Sequence, residues 1–366
     1  MRRIFLFALI IVIALGFIVE GCPAPTPEST PTPPESTPVQ PIVITFATHE
    51  PPNMMTVEQI ITPVLDEIEN RTGGRVKIER YYAETLVSLP DTYNAVKEGV
   101  VDIGHGMQSL VPGQFPMDEV INYMPYDTIN WRPSTVWWEL YQQFPEFQAE
   151  YKDVKLLWPA CYPWGLIGTT KKPIRTLEDN KGMKMAVGAE AVALRGEALG
   201  WTPIPVPPLD LYSSLEKGVV DGGGTFEMDN LWAFRWGEVI SYITIASLNQ
   251  LPSFFVMNLD KWNSLPPDIQ DIIDDYTGLR AAELNDIVRW SVEIKYLPKL
   301  EEEFGITTIY LSDEEKAKWV QADQVAVNNY ITSLNEKGLP GDEFFAAYLK
   351  LVDKYSAPEY EVKAAE

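Results

Sequence analysis

The chain has 366 residues, of which 46% are hydrophobic, enough for about two domains with apolar cores. Its formal net charge of -23 at pH 7 argues against nucleic acid as a partner, because a polyanion would be repelled. Two cysteines and two histidines cannot form a disulfide framework or a His/Cys metal cluster. We therefore expect no His/Cys metal site and no cofactor.

The chain begins with two arginines and an apolar run from Ile4 to Val19, the pattern of an export signal rather than a stable membrane span. Cys22 then follows a glycine, as in the bacterial lipobox, whose cysteine is lipidated after cleavage. Glu20 departs from the small residue usual at its place. We predict a signal peptide over residues 1–21 and a lipidated Cys22 that tethers the protein outside the cytoplasm, in the periplasm or at the cell surface. An uncleaved anchor is the alternative, and it would leave the protein in the same compartment.

Residues 22–41 consist, after the cysteine, mostly of proline, threonine, serine and glutamate. Such a segment cannot bury an apolar core and stays extended with polyproline stiffness. We interpret it as a spacer that holds a folded body away from the membrane.

The folded body begins with a predicted strand, Ile42–Thr48, and a helix with one apolar face that ends at a pair of glycines. A second strand is predicted over Val76–Tyr82. The loop after the first strand starts with His49 and Glu50, and His105 follows a neighbouring strand. A lone histidine is usually structural, whereas two at the ends of adjacent strands can line a site. We predict that these three residues contact a ligand.

A helix-to-strand unit occurs twice in the sequence. Asp91–Gly104 reads DTYNAVKEGVVDIG, and Asp210–Gly223 reads DLYSSLEKGVVDGG. Each copy predicts a helix that ends at a glycine in the left-handed conformation, Gly99 or Gly218, and then a buried Val-Val pair in a strand. The repeat indicates two lobes of similar build, each with a loop just past a strand's carboxyl end, where open α/β sheets bind ligands.

The segment between the lobes is predicted to be a strand that begins at Val154. It contains two prolines, which fit a crossover between lobes better than a central strand of a sheet. Cys161 is expected to be a small buried residue, since no histidine lies near it in the sequence. A helix is predicted over Ala189–Leu199, with Arg195 as a solvated helix residue. A long helix with apolar periodicity is predicted over Pro267–Phe304.

A series of short motifs runs along the body: Thr72–Ile78, Gly99–Gly104, Phe115–Val120, Lys172–Leu177, Lys181–Met185, Tyr212–Gly222 and Trp262–Pro267. Their order resembles that in the substrate-binding proteins of tripartite ATP-independent periplasmic (TRAP) transporters, the dicarboxylate-binding, DctP-like family. The series covers nearly the whole chain from Ile42 onward. The resemblance rests on the series rather than on any single motif.

The resemblance implies a periplasmic-binding-protein-like α/β fold with two lobes around a central cleft, and a long bracing helix, here Pro267–Phe304. It implies a binding protein and not an enzyme, which delivers a small molecule to integral-membrane TRAP transporter subunits. We assign residues 42–157 plus about 226–252 to lobe I, and residues 158–225 plus about 253–310 to lobe II. C-terminal helices over residues 311–366 would pack across the lobes.

One departure from the family pattern concerns the charge of the ligand. The family's clamp arginine, which holds a ligand carboxylate bidentately, stands two residues after the second lysine of the Lys-Gly-x-Lys motif. Here that position is Ala186. A carboxylate buried without a partner costs several kcal/mol. The ligand is therefore expected not to be a simple carboxylate, unless another group replaces the clamp.

Several other pocket positions are apolar or aromatic, which suits a flat, sugar-like or cationic ligand. The further predicted ligand contacts are Met107, Tyr162, Trp164, Leu166, Thr225, Phe226 and Asp229, besides Ala186. Trp232 adds aromatic surface nearby. Glu227 and Asp229 could receive a cationic or hydroxylated ligand, or hold a bridging metal ion.

Three other functions stay open on the sequence alone. A binding protein of an ATP-driven (ABC-type) importer would have the same cleft. A secreted carbohydrate-active enzyme could use paired carboxylates, although the sequence contains no nucleophile-elbow, zinc-protease or nucleotide-loop motif. A surface lipoprotein could bind a partner protein. For the binding protein we predict closure by bending near Trp158–Trp164 and Phe254–Asn258.

Overall fold

The computed structural model describes residues 40–123, 132–162, 166–188, 190–246 and 250–360. Cys22, the signal peptide, most of the spacer and Trp164 lie outside these ranges. The ranges contain eleven strands: β1 Ile42–Thr48, β2 Val76–Tyr81, β3 Ile103–Met107, β4 Val154–Tyr162, β5 Leu166–Thr169, β6 Lys184–Val187, β7 Thr202–Pro205, β8 Gly222–Phe226, β9 Tyr242–Ile245, β10 Leu251–Asn258 and β11 Thr307–Tyr310.

The same ranges contain thirteen α-helices: α1 Thr62–Arg71, α2 Thr92–Lys97, α3 Pro133–Gln143, α4 Pro145–Ala149, α5 Glu190–Leu199, α6 Pro208–Glu216, α7 Met228–Ala233, α8 Leu259–Ser264, α9 Pro267–Tyr276, α10 Gly278–Tyr296, α11 Lys299–Phe304, α12 Asp313–Glu336 and α13 Gly341–Tyr355. Within this described part of the chain, every helix is too short or too polar to cross a membrane.

The first sheet has the strand order β2-β1-β3-β10-β4. Strand β1 is parallel to β2 and β3, and β10 runs antiparallel between β3 and β4. Helices cover both faces, so β10 is apolar on both sides. Phe254 packs with Trp137 of α3 in one core, and Phe255 packs with Leu65 of α1 in another, because successive side chains of a strand point to opposite faces.

The second sheet has the strand order β11-β9-β5-β8-β6-β7. Strand β5 runs antiparallel to both of its neighbours, whereas β6 is parallel to β7 and β8. Its two faces also belong to separate cores. Ile243 and Trp236 lie in one, and Met185 and Trp319 lie in the other. The molecule therefore has the two α/β lobes that the family resemblance implied.

Strand pairing exchanges the predicted lobes of β9 and β10, whereas β11 lies in lobe II. Strand β9 pairs with β5 and β11 in the second sheet, whereas β10 pairs with β3 and β4 in the first. Both faces of β10 are apolar, so the strand is buried only where it has a strand on each side and a helical layer on each face. The chain thus returns to lobe I between Ile245 and Leu251. The predicted hinge at Phe254–Asn258 is wrong, because this segment lies in the middle of a sheet.

The predicted long helix over Pro267–Phe304 consists of α9, α10 and α11. The first break is at Thr277, which is extended between α9 and α10 with φ -110° and ψ -152°. The second break is at Pro298, just before α11, because proline has no N–H to donate to the preceding turn. Helix α10 still contacts both lobes. Its Ala281 packs in a core of the first sheet, and its Trp290 packs in a core of the second.

Helix α12 also contacts both lobes, and α13 packs against lobe I. At the start of α12, Glu315 accepts a 2.8 Å hydrogen bond from the backbone of Leu177 in lobe II. Further along α12, the Tyr330 hydroxyl donates a 3.1 Å hydrogen bond to the carbonyl of Met117 in lobe I. Phe344 of α13 packs edge-on against Phe144 after α3. This end of the chain holds the lobes together from outside the sheets.

The repeated unit has the same physical basis in both lobes. Gly99 and Gly218 end their helices with φ of 74° and 70°, a conformation that glycine adopts without strain. Asp102 accepts a 2.8 Å hydrogen bond from the backbone N–H of Thr45 on β1, and Asp221 accepts one of 2.9 Å from Lys184 on β6. Each aspartate thus ties the start of its own strand to the neighbouring strand.

The predicted burial of the Val-Val pair is correct for the second valine alone. Val101 and Val220 are buried, whereas Val100 and Val219 are 62% and 52% exposed. The pair lies in the turn before each strand, and the strands begin at Ile103 and Gly222. The turn therefore presents one valine to the core and the other to solvent.

Candidate functional site

The carboxyl ends of strands from both sheets meet at one place. In the first sheet β1 ends at Thr48, β3 at Met107 and β4 at Tyr162; in the second sheet β6 ends at Val187 and β8 at Phe226. Three residues separate β4 from β5, and five separate β9 from β10. A chain spans at most about 3.6 Å per residue. Because these connections are short, the strand ends of the two sheets lie close together. They form the walls of a cleft between the lobes.

His105 lies inside the first sheet, behind the cleft surface. It is fully buried, its Nδ1 lies 3.0 Å from Thr48 Oγ1, and its Nε2 lies 3.4 Å from Ser253 Oγ. Its ring stacks on Phe255, with the centroids 4.1 Å apart. Burial lowers the pKa of His105 well below its ordinary value. These contacts make His105 a neutral link between β1, β3 and β10.

His49 lies at the end of β1, and its ring centroid is 4.9 Å from that of His105. Its Nδ1 is buried and has no hydrogen-bond partner among the described residues. Burial lowers the pKa of His49 to about 4, and the charge of Glu84 opposes this effect. A neutral imidazole at the cleft edge can exchange a hydrogen bond with a ligand.

We expect His49 to stay neutral down to about pH 4. Because its folded-state pKa lies below the ordinary value of about 6.5, the unfolded chain takes up the proton first. The folded state then loses stability as the pH falls from about 6.5 to about 4. NMR titration of the two histidine rings measures the pKa of His49, and the His49→Gln variant assigns its signals. A midpoint near 6.5 for His49 would contradict the burial described.

Glu50, Tyr162 and Arg289 form a buried trio at the base of the cleft. The Tyr162 hydroxyl donates a 2.7 Å hydrogen bond to Glu50 Oε1, and Arg289 Nη2 lies 4.0 Å from the same oxygen. The Arg289 guanidinium covers the Tyr162 ring at 3.6 Å from its centroid. Glu50 and Arg289 are 3% and 4% exposed, so water screens their attraction weakly. Burial and the Glu50 charge raise the pKa of Tyr162 well above its ordinary value, which keeps its hydroxyl a donor.

A hydrogen-bond network holds Arg289 in place. Its Nε donates 3.1 Å to Asn285 Oδ1, and Asn285 Nδ2 donates to Ser134 Oγ and to the Cys161 carbonyl at 2.9 and 3.1 Å. Asp286 accepts from the backbone N–H of Ser134 at 3.0 Å, at the start of α3. Burial raises the pKa of Asp286 to about 6. As predicted, Cys161 is buried.

Arg289 was not singled out from the sequence. The available signal was the spacing of Asn285, Arg289 and Glu293, which places three polar side chains on one face of α10. All three are buried, at 0%, 4% and 3% exposure. Charged residues repeated on a buried helix face indicate a polar site rather than a core.

In lobe II, the predicted contacts Leu166, Ala186 and Phe226 belong to one apolar core and are 0%, 3% and 1% exposed. Met107, in lobe I, is half-buried at the end of β3. Trp164 and the side chains of Thr225 and Asp229 lie outside the described part of the molecule. Whether these residues contact a ligand stays a prediction.

Two other candidates occupy different places. Trp232 packs between Tyr296 and Phe304, with each ring centroid 5.0 Å away, and its Nε1 donates a 2.6 Å hydrogen bond to Glu303. The aromatic surface of Trp232 therefore packs against α10 and α11. Glu227 is half-buried just after β8, and its charge contributes to raising the pKa of Tyr162. Glu227 therefore adds a negative charge to the site. No group of three or more metal-ligating His, Cys, Asp or Glu side chains occurs among the described residues.

The prediction that Arg195 is solvated is wrong. It is 1% exposed; its Nη2 lies 2.6 Å from Asp323 Oδ2, and its Nη1 donates a 2.6 Å hydrogen bond to the carbonyl of Asn122. The helical pattern of α5 did not show this, because α12 and the segment around Asn122 cover a face that the helix alone would expose. Arg195 thus joins lobe II to lobe I and to the C-terminal helices.

Residues 46–333 match the family described as bacterial extracellular solute-binding protein, family 7. The uncharacterized protein YiiZ of Salmonella typhimurium is 24% identical over 259 residues, which are 66% of this chain and 74% of that protein. The ectoine/5-hydroxyectoine-binding periplasmic protein UehA of Ruegeria pomeroyi is 26% identical over 199 residues, which are 52% of this chain and 57% of that protein.

A solved structure shares the fold. It is a marine metagenome TRAP solute binding protein from an unidentified microbe, specific for aromatic acid ligands and crystallised with metahydroxyphenylacetate. The TM-score is 0.78 at 27% sequence identity, and the match covers 86% of this chain and 100% of that chain.

Proposed function

We propose, from the membership of this chain in the bacterial extracellular solute-binding proteins of family 7, that it is a lipid-anchored receptor of a TRAP transporter. The receptor closes around a small organic ligand that has no free carboxylate. It then delivers this ligand to the membrane subunits of the transporter. Proteins of this kind bind small organic ligands outside the cytoplasm and catalyse no reaction. Family membership therefore favours a TRAP receptor over the ABC-type and enzymatic alternatives.

The observation that carries the ligand class is Ala186. Its side chain packs with Leu166 and Phe226 and offers no charge at the clamp position of the family. The guanidinium of Arg289 already faces Glu50 at 4.0 Å. A ligand carboxylate would have to compete with Glu50 for this cation, and an unpaired buried carboxylate is costly. The structural relative binds aromatic acids, which supports an aromatic ring of similar size in the ligand of this chain. In this ligand we propose a neutral or cationic head group in place of the acid.

Lipidation of Cys22 would place the receptor at the membrane that holds the transporter. The support is the apolar run before the Gly21-Cys22 pair and the Pro-rich segment after it. Mass spectrometry of the N-terminal peptide of the purified chain tests this. An unmodified peptide that still contains Met1 would contradict it.

We expect the two sheets to move toward each other as rigid units, without breaking the strand pairing within either sheet. The chain passes from one sheet to the other between β4 and β5, between β9 and β10, and between β10 and β11. Ligand contacts with both walls would then stabilise the closed state.

Spin labels on Leu86→Cys and Leu209→Cys should move closer together when a ligand binds. The two leucines follow the edge strands β2 and β7 and are 39% and 84% exposed. Cys161 is 1% exposed and should not react with the label. The ligand is any compound that raises the melting temperature in a screen of sugars, polyols, amines and carboxylates.

The matched control pairs Leu86→Cys with Leu110→Cys, which follows β3 in the same lobe and is 38% exposed. This distance should stay constant. An unchanged distance between positions 86 and 209 at saturating ligand would refute closure.

A further inference from the structure

We propose that Glu50 determines the specificity of this receptor: it occupies Arg289 from within the protein and thereby excludes ligands that carry a carboxylate. This rests on the proposed ligand-binding role of the cleft. Glu50 comes from the loop after β1 in lobe I, and Arg289 comes from the bracing helix α10. Their meeting at the base of the cleft follows from the tertiary fold.

The geometry of the trio holds Glu50 against the cation. Tyr162 donates its hydroxyl to Glu50 Oε1 at 2.7 Å, and the Arg289 guanidinium lies on the ring of the same tyrosine at 3.6 Å. Tyr162 thus fixes both the acid and the base. The Nε of Arg289 is directed to Asn285 at 3.1 Å, and its Nη2 faces Glu50.

A second carboxylate would therefore meet a cation that already has an acid beside it. Glu50 Oε1 lies 4.0 Å from Arg289 Nη2, and like charges within about 4–6 Å disfavour each other. Glu227 is half-buried after β8, and its negative charge acts on Tyr162 in the same trio. The head group of the ligand is thus an uncharged or positively charged hydrogen-bond donor.

The test is Glu50→Gln in the full-length chain, purified in detergent. Glutamine keeps the size of the side chain and can still accept a hydrogen bond from Tyr162, but it releases the charge of Arg289. Three probes of similar shape are compared by calorimetry and thermal shift: phenylacetate, phenylacetamide and 2-phenylethylammonium. We expect phenylacetate to bind the variant at least tenfold more tightly than it binds the wild type. The wild type should favour the amide or the ammonium.

Glu84→Gln is the matched control. Glu84 is exposed and acts on His49 at the same edge of the cleft, so its removal changes the local charge by the same amount without releasing Arg289. It should leave phenylacetate binding unchanged. Tyr162→Phe removes the hydroxyl that holds Glu50 and should give a smaller gain in the same direction, even if Glu50→Gln folds poorly.

Two results overturn the role of Glu50. One is tight binding of phenylacetate to the wild type, and the other is no gain in either Glu50→Gln or Tyr162→Phe. If another compound still brings the labels at positions 86 and 209 together, the receptor function stands and only the role of Glu50 fails. If no compound does so, the receptor function fails as well.

Discussion

Replacing Arg195 by methionine is expected to lower the free energy of unfolding by about 3–5 kcal/mol. Its Nε and Nη2 contact Asp323 Oδ2 at 2.7 and 2.6 Å, and Asp323 is 3% exposed. Methionine would leave that carboxylate in a low dielectric without its cation, and the carbonyl of Asn122 would lose its donor. Chemical denaturation of the purified chain measures the loss. A loss below about 1 kcal/mol, the range of exposed ion pairs, would show that the pair is solvated.

Two further variants separate the charge from the packing. Arg195→Met with Asp323→Leu removes both charges and should recover much of the lost stability, because the penalty comes mainly from the unpaired acid. Arg195→Lys keeps the charge but lacks the planar fork that reaches both Asp323 and Asn122, so its loss should be intermediate. If the double variant is no more stable than Arg195→Met, the cost is due to packing.

Ala186→Arg is expected to create carboxylate binding and to weaken the binding of neutral ligands. We expect phenylacetate to bind about 10- to 100-fold more tightly, the range of a charge-assisted contact of about 1.5–3 kcal/mol, and phenylacetamide to bind more weakly. The new guanidinium would stand at the family's clamp position, and Glu50 would still engage Arg289. Ala186 packs among Leu166 and Phe226, so the longer side chain must extend along β6 toward the cleft. Calorimetry with both probes measures the change.

Ala186→Met is the control, because methionine is a long unbranched side chain without a charge. It should weaken the binding of both probes by filling space and should create no preference for the acid. Equal behaviour of the arginine and methionine variants would mean that position 186 acts by its volume. In that case the missing clamp would not explain the ligand class.

Local features of the fold followed from the sequence with little error. The strand predicted over Ile42–Thr48 has those bounds in the structure, and the C-terminal helices predicted within residues 311–366 are α12 and α13. The ends of these elements depend on nearby residues, such as glycine, proline and the apolar period. The repeat also had a local cause, since Gly99 and Gly218 end their helices in the left-handed conformation.

The sheet to which a segment belongs could not be read from its pattern. The sequence prediction places most of β10 in lobe II, yet β10 pairs between β3 and β4 in the first sheet. An apolar run shows that both faces are covered but does not show by which neighbours. For the same reason, the pattern of α5 predicts a solvated Arg195, whereas α12 covers it.

By itself, the sequence determined the family, the two-lobed α/β class and the residues at the ends of the strands, because these depend on local patterns and their order along the chain. The tertiary structure alone decided which charges meet. Glu50 and Arg289 are far apart in the sequence, and their Nη2–Oε1 distance of 4.0 Å results from packing α10 against the edge of the first sheet. Electrostatic pairing depends on distance in space, and the sequence order does not contain that distance.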